Sequence, residues 1–283
     1  MRVLRTVAAV RTTVEDWRAS RERVALVPTM GNLHKGHLAL VERAAQLADR
    51  VIVSIFVNPL QFNDQDDYSR YPRTFKKDQQ YLAEYGVAMV FAPSLEDIYP
   101  QRLESVTQVE VPGLSDILEG ASRLGHFRGV TTVVAALFNI IQPQVAVFGE
   151  KDYQQLLIIR RMVADLVMPV EVESIATVRD KDGLALSSRN NYLTQEERTR
   201  APILFGALRH AAEAIEKGRR NFPILEEEGR QRLVEAGFRP DYFYIRRAED
   251  LAEPGEGKNN IAILAAAYLG RARLIDNVLV QLK

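Results

Sequence analysis

The stretch VALVPTMGNLHKGHLALVERA, residues 24–44, decides the fold that this sequence predicts. Residues 24–27 form a short apolar run typical of a buried strand, and a turn holding Pro28, Gly31 and Gly36 follows them. Past the turn, apolar side chains recur at helical spacing, at Leu38, Leu40, Val41, Ala44 and Ala45. A buried strand that leads through such a turn into an amphipathic helix predicts the first step of an α/β domain.

The junction between this turn and this helix carries two histidines, His34 and His37, out of only four in the chain. The N-terminus of a helix exposes unpaired backbone N–H groups and about half a positive charge, so it attracts phosphate. Imidazole N–H groups there can donate to a triphosphate, or to the charge that develops as its α–β bridge breaks. Two alternatives stay open: a solvated surface loop, and a metal-binding pair, which is weaker because no cysteine or acidic cluster adjoins.

The composition excludes several classes of protein. A chain of 283 residues suggests about two domains. Lysine plus arginine and aspartate plus glutamate number 37 each, which argues against a nucleic-acid coat. The absence of cysteine removes thiolate nucleophiles, disulfides and cysteine-based zinc sites. No apolar run approaches the roughly 20 residues of a membrane span, and the first residues lack a signal-peptide pattern. We therefore expect a cytoplasmic enzyme or binding protein.

Strand and helix patterns alternate up to about residue 178. Continuous apolar runs predict strands at 51–59, 87–93, 145–152 (with a loop at its end) and 170–178. Helical spacing predicts helices at 73–86, 129–143 and 153–166. This alternation predicts a Rossmann-like, doubly wound parallel sheet with right-handed crossovers.

The pattern changes after about residue 180. A capped helix is predicted from Thr194 to Gly218, and a second helix covers 222–237. Three short strands are predicted at 240–249, 259–270 and 272–282, although the alanine-rich middle segment also fits a helix. The sequence thus predicts a Rossmann-like domain at 1–178 and a smaller C-terminal α+β domain at 179–283 that acts as its lid.

Unusual polar segments follow the predicted strands. They are TMGNLHKGH (29–37), NPLQFN (58–63), GEKDYQQ (149–155) and DGLALSSRN (182–190). Because ligands bind at the carboxyl ends of parallel strands, we expect these four segments to gather at one edge of the sheet. No Walker lysine motif, GxGxxG fingerprint or Ser–His–Asp order is present.

The chemistry of these segments favours adenylation, although each is weak evidence alone. Lys151 suits a phosphate, but a charged surface turn is equally compatible. The SSR sequence at 187–189 offers hydroxyls and a guanidinium to phosphate, and is also common in loops. Gln61 and Gln155 suit a small substrate with hydroxyls and a carboxylate, although structural glutamines are commoner. Together they fit a triphosphate attacked at its α-phosphorus by a carboxylate.

Taken together, these residues closely resemble the pantoate–β-alanine ligase family. The matching stretches run from about residue 24 to 277 and are PTMGNLHKGH, VSIFVNPLQF, YPRT, VPGLSDILEGASRLGHFRGV, QPQVAVFGEKDYQQL, RDKDGLALSSRNNYL and ARLIDN. The family belongs to the nucleotidyltransferases with HxGH-type motifs. The resemblance implies that pantoate and ATP give pantoyl adenylate and pyrophosphate, and that β-alanine then displaces AMP to give pantothenate. It also implies a homodimer. Mg²⁺ on the phosphates is expected from the adenylation chemistry, and the charge balance and lack of a long apolar run argue against nucleic acid or a membrane as partner.

The resemblance assigns roles to matching positions. His37 is the expected catalytic residue, as proton donor or phosphate stabiliser. The expected ATP contacts are Met30, Gly31, Asn32, Leu33, His34, Lys35, Gly36, His37, Gly149, Glu150, Lys151, Asp152, Val178, Leu186, Ser187, Ser188 and Arg189. Gln61 and Gln155 are the expected contacts of pantoate, and Gln61 also of β-alanine. Asn58, Arg123 and His126 are expected to have supporting roles.

Three positions depart from the family pattern. Lys35 stands where an acidic or small residue is common, Leu124 where proline is common, and Ala88 where an acid is common. Because such an acid can help to hold Mg²⁺, no metal ligand is assigned. Two other functions fit parts of the pattern. One is another transferase of the superfamily, such as a nucleotide-sugar or cofactor adenylyltransferase, and the other is a nucleotide-binding regulatory module without turnover.

Overall fold

The chain folds into two compact units in this computed structural model, which describes residues 1–63, 65–255 and 260–282. The first unit comprises Met1–Glu150 and Ile158–Ala176. The second comprises Lys151–Leu157 and Thr177–Lys283. Each unit has its own sheet and its own core.

The first unit contains a six-stranded parallel sheet. Its strands are β1 (Arg2–Leu4), β2 (Val24–Thr29), β3 (Arg50–Ile55), β4 (Met89–Phe91), β5 (Val145–Gly149) and β6 (Glu171–Ile175), in the order β1-β4-β3-β2-β5-β6. Consecutive residues 24–27 of β2 are all buried. Since neighbouring side chains of a strand point to opposite faces, both faces of the sheet are covered. The predicted Rossmann-like architecture is confirmed.

The helices that accompany this sheet are unequal in length. They are α1 (Val7–Ala19), α2 (Lys35–Leu47), α3 (Gln65–Arg70), α4 (Phe75–Glu84), α5 (Leu95–Ile98), α6 (Glu119–Ser122), α7 (His126–Ile141) and α8 (Tyr153–Asp165). The apolar face of α2 packs on alternate side chains of the central strands, including Ala25, Val27 and Val53. Leu38, Leu40, Val41 and Ala44 are buried there as predicted, whereas Ala45 is exposed, so its assignment to the apolar face was wrong.

The strand order reverses beside β2. Successive strands β3 and β4 are added on one side of β2, and β5 then pairs with its other side. The carboxyl ends of strands at such a reversal form the usual ligand-binding crevice of open α/β sheets. The segments at 29–37, 58–63 and 149–150 follow β2, β3 and β5, so they lie at the same edge as predicted. The fourth segment, 182–190, belongs to the second unit.

The second unit is α+β, as predicted. It contains α9 (Gln195–Arg200), α10 (Ile203–Glu216) and α11 (Phe222–Glu235), with an antiparallel sheet of β7 (Arg239–Arg247), β8 (Ile261–Leu269) and β9 (Ala272–Val280) in that order. The alanine-rich segment is the central strand β8, with residues 261–267 all buried. It begins at Ile261, and Asn259, the first residue of the prediction, lies outside the described part of the chain.

The single helix predicted from Thr194 to Gly218 is instead two helices. The expected cap is present: Thr194 Oγ1 accepts the Glu197 N–H at 3.2 Å, and Glu197 accepts the Thr194 N–H at 2.8 Å. The first helix ends at Arg200 and the second begins at Ile203, after Pro202. Proline has no N–H to donate and its ring crowds the preceding turn, so this break was readable from the sequence.

Candidate active site

The loop after β2 enters α2 through a reciprocal cap made by two histidines. His34 is the N-cap residue, and its Nδ1 accepts the Gly36 N–H at 3.2 Å. His37 Nδ1 in turn accepts the His34 N–H at 3.3 Å, and the two rings lie 4.1 Å apart. An Nδ1 that accepts carries no hydrogen, so in both neutral rings the hydrogen is on Nε2. Both imidazoles are thereby fixed with Nε2–H donors at a helix N-terminus.

The charge at this terminus is uncompensated by any acid in its first turn. Lys35 is the first helical residue and is exposed, and no acidic residue occupies the first turn of α2. The positive end of the helix dipole and the Lys35 ammonium therefore act in the same direction. This is the electrostatic environment that a polyphosphate requires.

A buried carboxylate accepts hydrogen bonds from the backbone of the same loop. Asp78, in the first turn of α4, is 1% exposed and accepts the N–H groups of Asn32 and Leu33 at 3.0 and 2.9 Å. Gly31 and Asn32 both have positive φ angles, 81° and 52°. A side chain on Gly31 would also approach Asp78 Oδ2 to 3.1 Å. Asp78 thus stabilises a loop shape that most residues resist.

Gln61 lies beside this loop at the end of a 3-10 turn, Pro59–Gln61. Its Oε1 accepts from Asn58 Nδ2 at 3.1 Å, and its Nε2 donates to Met30 Sδ at 2.9 Å. Asn58 is held in turn, because its Oδ1 accepts from the Tyr99 hydroxyl at 2.9 Å. Burial raises the pKa of Tyr99, so this hydroxyl remains a donor. Both ends of the Gln61 amide are thereby held, and its NH₂ has a second hydrogen that can donate to another acceptor.

The backbone of Gln61 is held separately. Its carbonyl oxygen accepts from His126 Nδ1 at 2.8 Å and from Arg123 Nη2 at 3.2 Å. Arg123 Nη1 also lies 3.2 Å from His126 Nε2, so that nitrogen accepts and the hydrogen of this ring is on Nδ1. Gly129 allows the approach of α7, because a Cβ there would lie 2.2 Å from the Leu60 carbonyl oxygen.

Gly149 and Glu150 are the remaining expected ATP residues that belong to the first unit. Gly149 ends β5, and a Cβ on it would meet no atom within 4 Å, so its surroundings are open. Glu150 Oε1 accepts from Ser174 Oγ at 3.0 Å, next to the end of β6. These residues share the sheet edge of the histidine loop because β2 and β5 are neighbours.

The remaining expected residues belong to the second unit. Lys151 and Asp152 lie in a 3-10 turn, with 3.6 Å between Lys151 Nζ and Asp152 Oδ1. The Lys151 side chain is largely buried, with 17% exposed, so it differs from an ordinary surface lysine. Gln155 follows in the first turn of α8 and is half-buried.

Val178 and the 186–189 segment are joined by a short hairpin. The Leu186 N–H donates to the Val178 carbonyl at 2.9 Å, and Arg179 pairs with Ala185. Ser187 caps a 3-10 turn, Ser188–Tyr192, by accepting the Arg189 N–H at 3.2 Å. Arg198 holds the tip of the hairpin through Asp182 and Asp180 at 2.6 and 2.9 Å. The hydrogen bond from Arg198 lowers the pKa of Asp182 below its ordinary value.

The structure thus brings Met30–His37, Gln61 and 149–150 to one edge of the first unit, and 151–155 and 178–189 into the second. Sequence reasoning missed Asp78 and Tyr99, whose types and positions are unremarkable until the loop contacts are known. In the described part of the chain, no three His, Asp or Glu side chains gather as a metal site. None of the helices described there has the length and apolar character to span a membrane.

Comparison with known proteins finds similar sequences that match nearly the whole chain. A family model described as pantoate-beta-alanine ligase matches residues 2–279. A pantothenate synthetase of Nitrosococcus oceani is 88% identical over 283 residues, covering 100% of this chain and 99% of that protein. One from Thioalkalivibrio sulfidiphilus is 56% identical over 282 residues, covering 100% of this chain and 99% of that protein.

Solved structures give the same result. A pantothenate synthetase from Thermus thermophilus superposes with a TM-score of 0.91 at 48% identity, covering 98% of this chain and 99% of that one. A pantoate-beta-alanine ligase from Francisella tularensis, complexed with beta-gamma ATP and beta-alanine, superposes with a TM-score of 0.81 at 34% identity, covering 99% and 97%. With the histidine-capped loop at the strand-order reversal and matches over nearly all of its length, this chain belongs to the pantoate–β-alanine ligase family.

Proposed function

We propose that this protein condenses (R)-pantoate with β-alanine to pantothenate, consuming ATP and releasing AMP and pyrophosphate through a pantoyl-adenylate intermediate. The observation that carries the proposal is the reciprocal cap of α2 by His34 and His37, which holds both imidazoles through Nδ1 at a helix N-terminus where the strand order reverses. The Francisella relative, solved with beta-gamma ATP and beta-alanine, supports the same ligands here.

In the first step, a carboxylate oxygen of pantoate attacks the α-phosphorus of ATP, and the α–β bridging oxygen leaves with pyrophosphate. Negative charge grows on the leaving oxygen, so hydrogen-bond donors that are already positioned near it lower the activation barrier of this step. His37 is assigned to this charge with His34 beside it, and Lys151 and the 186–189 segment are assigned to the phosphates. His34, His37 and the 186–189 segment are held by hydrogen bonds within the chain, which limits reorganisation during the reaction.

In the second step, the amine of β-alanine attacks the acyl carbon of the adenylate and loses a proton, and AMP leaves. A free carboxylate is a poor acyl donor, whereas the mixed anhydride with AMP has a good leaving group. Gln61 is assigned to both acids because Asn58 and Met30 hold its amide in place beside the loop and its NH₂ has a second hydrogen to donate to a carboxylate. Gln155 is assigned to pantoate.

The nucleotide is assigned to four segments of the chain. The proposed contacts are the loop 30–37, the 149–152 segment, the backbone of Val178 for adenine, and residues 186–189. Mg²⁺ would arrive with ATP, whose phosphate oxygens are the ligands this ion prefers, and it would neutralise phosphate charge. We assign no residue of the chain to it.

Pantoate-dependent exchange of labelled pyrophosphate into ATP tests the proposal. Exchange with pantoate alone, followed by AMP and pantothenate once β-alanine is added, is the expected result. Exchange without later amide formation would favour an adenylyltransferase for another acceptor. ATP binding without exchange under any acid would favour a regulatory module.

Substitution of the assigned residues tests the roles. His37→Ala and Lys151→Ala are each expected to lower the exchange rate by roughly 10²–10³-fold, as for other lost electrostatic donors. Circular dichroism and the melting temperature serve as controls for folding. Near-wild-type exchange in both variants would refute the assigned roles.

Three further properties are proposed on the same basis. Residues 182–191 are expected to gain hydrogen-exchange protection when ATP and pantoate bind, as in other loops that close on substrates; unchanged exchange would refute this closure. We propose a homodimer, which sedimentation at micromolar concentration would test. We propose a cytoplasmic location because the reaction consumes ATP, and cell fractionation would test it.

A further inference from the structure

Two adjacent residues of strand β9, Asp276 and Asn277, form hydrogen bonds with two separate segments of the second unit. Asn277 Nδ2 donates to the Lys151 carbonyl oxygen at 2.9 Å, across 126 residues of sequence. The adjacent Asp276 accepts from Arg179 Nη1 and Nη2 at 2.6 and 2.9 Å, across 97 residues. Arg179 Nη2 also donates to the Asn277 carbonyl at 3.2 Å. Two neighbouring residues therefore link the segment of Lys151 to the segment of Arg179.

This cluster is buried and leaves little freedom to its members. Asp276 and Asn277 are 4% and 6% exposed, and the Asn277 N–H donates to Asp276 Oδ1 at 2.7 Å. The Arg179 guanidinium lies 3.7 Å from the Phe205 ring centre and also donates to the Gly183 carbonyl at 3.1 Å. A bidentate arginine–carboxylate pair has one favoured geometry, so the position of Arg179 relative to β9 is fixed.

Fixing Arg179 also fixes the segment that follows its hairpin. Arg179 pairs with Ala185, and Leu186 donates to the Val178 carbonyl at 2.9 Å. Leu186 is the first residue of the 186–189 segment, and Val178 directly precedes Arg179. On the other side of the cluster, Asn277 holds the backbone of Lys151 itself.

We propose that Asp276 and Asn277 are positioning residues for the reaction: they hold Lys151 and the 186–189 segment at a fixed separation that matches the triphosphate. This inference rests on the proposed function, because it takes both segments to be ATP contacts. It gives a physical role to ARLIDN, residues 272–277, a stretch whose polar residues would otherwise be costly in a buried strand.

The test variant is Asn277→Leu, which keeps the side-chain size and removes the donor to Lys151. The half-buried Lys151 carbonyl loses the hydrogen bond from Asn277, so the KM for ATP in pyrophosphate exchange is expected to rise roughly tenfold. The KM for pantoate is expected to stay within about twofold. Asn277→Ala, which cannot overpack, repeats the measurement should the leucine variant fail to fold.

A matched control lies in the same sheet. Asp241 lies on β7, outside the Lys151 and Arg179 segments. Asp241→Asn removes the charge from the pair between Asp241 Oδ2 and Arg273 Nη2, which are 2.6 Å apart. It is expected to lower the melting temperature without changing the KM for ATP. If the control raises this KM as much as the Asn277 variants do, general loosening of the sheet explains the effect and the proposal is overturned.

Lys151→Ala distinguishes a failure of the proposed ATP contact from a failure of the proposed positioning role. If Lys151→Ala leaves the KM for ATP unchanged, the assignment of Lys151 to ATP fails. If Lys151→Ala raises it and the Asn277 variants do not, the ATP assignment survives and the positioning role fails. In the double variant, a residue that acts through Lys151 is expected to add little to the effect of Lys151→Ala. Full additivity would also overturn the proposal.

Discussion

Replacement of Asp78 by asparagine tests how the loop between β2 and α2, to which we assign ATP, keeps its shape. The Asp78 carboxylate accepts two backbone N–H groups, those of Asn32 and Leu33, and the Thr74 hydroxyl at 3.1 Å. Asparagine retains one acceptor oxygen and turns an NH₂ group toward the second N–H. One buried donor is then left without a partner, and the other loses a charged acceptor.

The structure sets the size of the effect. A hydrogen bond to a charged group contributes about 1.5–3 kcal/mol, and an unsatisfied buried donor costs about 1–3 kcal/mol. We therefore expect Asp78→Asn to lower the free energy of unfolding by about 3 kcal/mol. A loop that already contains two residues with positive φ will relax when released, so we also expect the KM for ATP to rise about tenfold.

Urea unfolding followed by tryptophan fluorescence measures the loss of stability. The only tryptophan, Trp17, lies in α1 of the first unit, so its signal reports on the unit that contains Asp78. Asp97→Asn is the matched control: Asp97 also accepts a backbone N–H and a hydroxyl, both from Ser94, at 3.0 and 2.8 Å, but in an exposed helix cap. It is expected to cost about 1 kcal/mol and to leave the KM unchanged. Equal stability losses in the two variants would refute the anchoring role of Asp78.

Three other expectations follow from the site. Tyr99→Phe removes the buried hydroxyl that donates to Asn58, so it is expected to cost about 1–3 kcal/mol and to raise the KM for β-alanine; an unchanged KM would contradict the network. Gly129→Ala places a Cβ 2.2 Å from a backbone oxygen and is expected to lower the free energy of unfolding by about 3 kcal/mol. Gly206→Ala, whose Cβ would have no atom within 4 Å, is expected to stabilise its helix by up to about 1 kcal/mol. Thermal unfolding distinguishes the two variants. Because the pKa of Asp182 is lowered in the folded state, its ion pair with Arg198 contributes its full stability above the ordinary pKa of about 4. This stability is lost as the pH falls through the lowered pKa. The backbone amide resonances of residues 180–185 should shift in that acidic range in the wild type and not in Asp182→Asn.

Much of the fold was predictable because its signals are local. The apolar run at 145–152 contains strand β5, and the run at 51–59 covers all of β3 except its first residue, Arg50. The spacing of apolar residues at 153–166 matches α8 to within one residue. The position of the histidines at the start of α2 was likewise predictable from the turn and the apolar pattern around them. By contrast, edge strand β1 is three residues long and leaves no periodic signal in the sequence.

Long-range contacts are what the sequence does not display. Asp78 lies 46 residues from Asn32, and Asn277 lies 126 residues from Lys151. Neither the type nor the spacing of these residues indicates a partner, since a single aspartate or asparagine has no period. The capping use of His34 and His37 was also hidden, because histidine is not a favoured N-cap residue and only the three-dimensional geometry identifies Nδ1 as the acceptor.

The discontinuity of the second unit affects how this chain is made. Residues 151–157 belong to that unit although the rest of it begins at Thr177, and Leu156 within them is only 1% exposed. The hydroxyl of Tyr153 donates to the carbonyl of Ala248, 95 residues further along. At a synthesis rate of about 5–20 residues per second, this segment leaves the ribosome roughly 5–20 s before that partner exists. A C-terminal fragment that begins at Thr177 would therefore lack the buried Leu156 and the hydrogen bond from Tyr153 to Ala248.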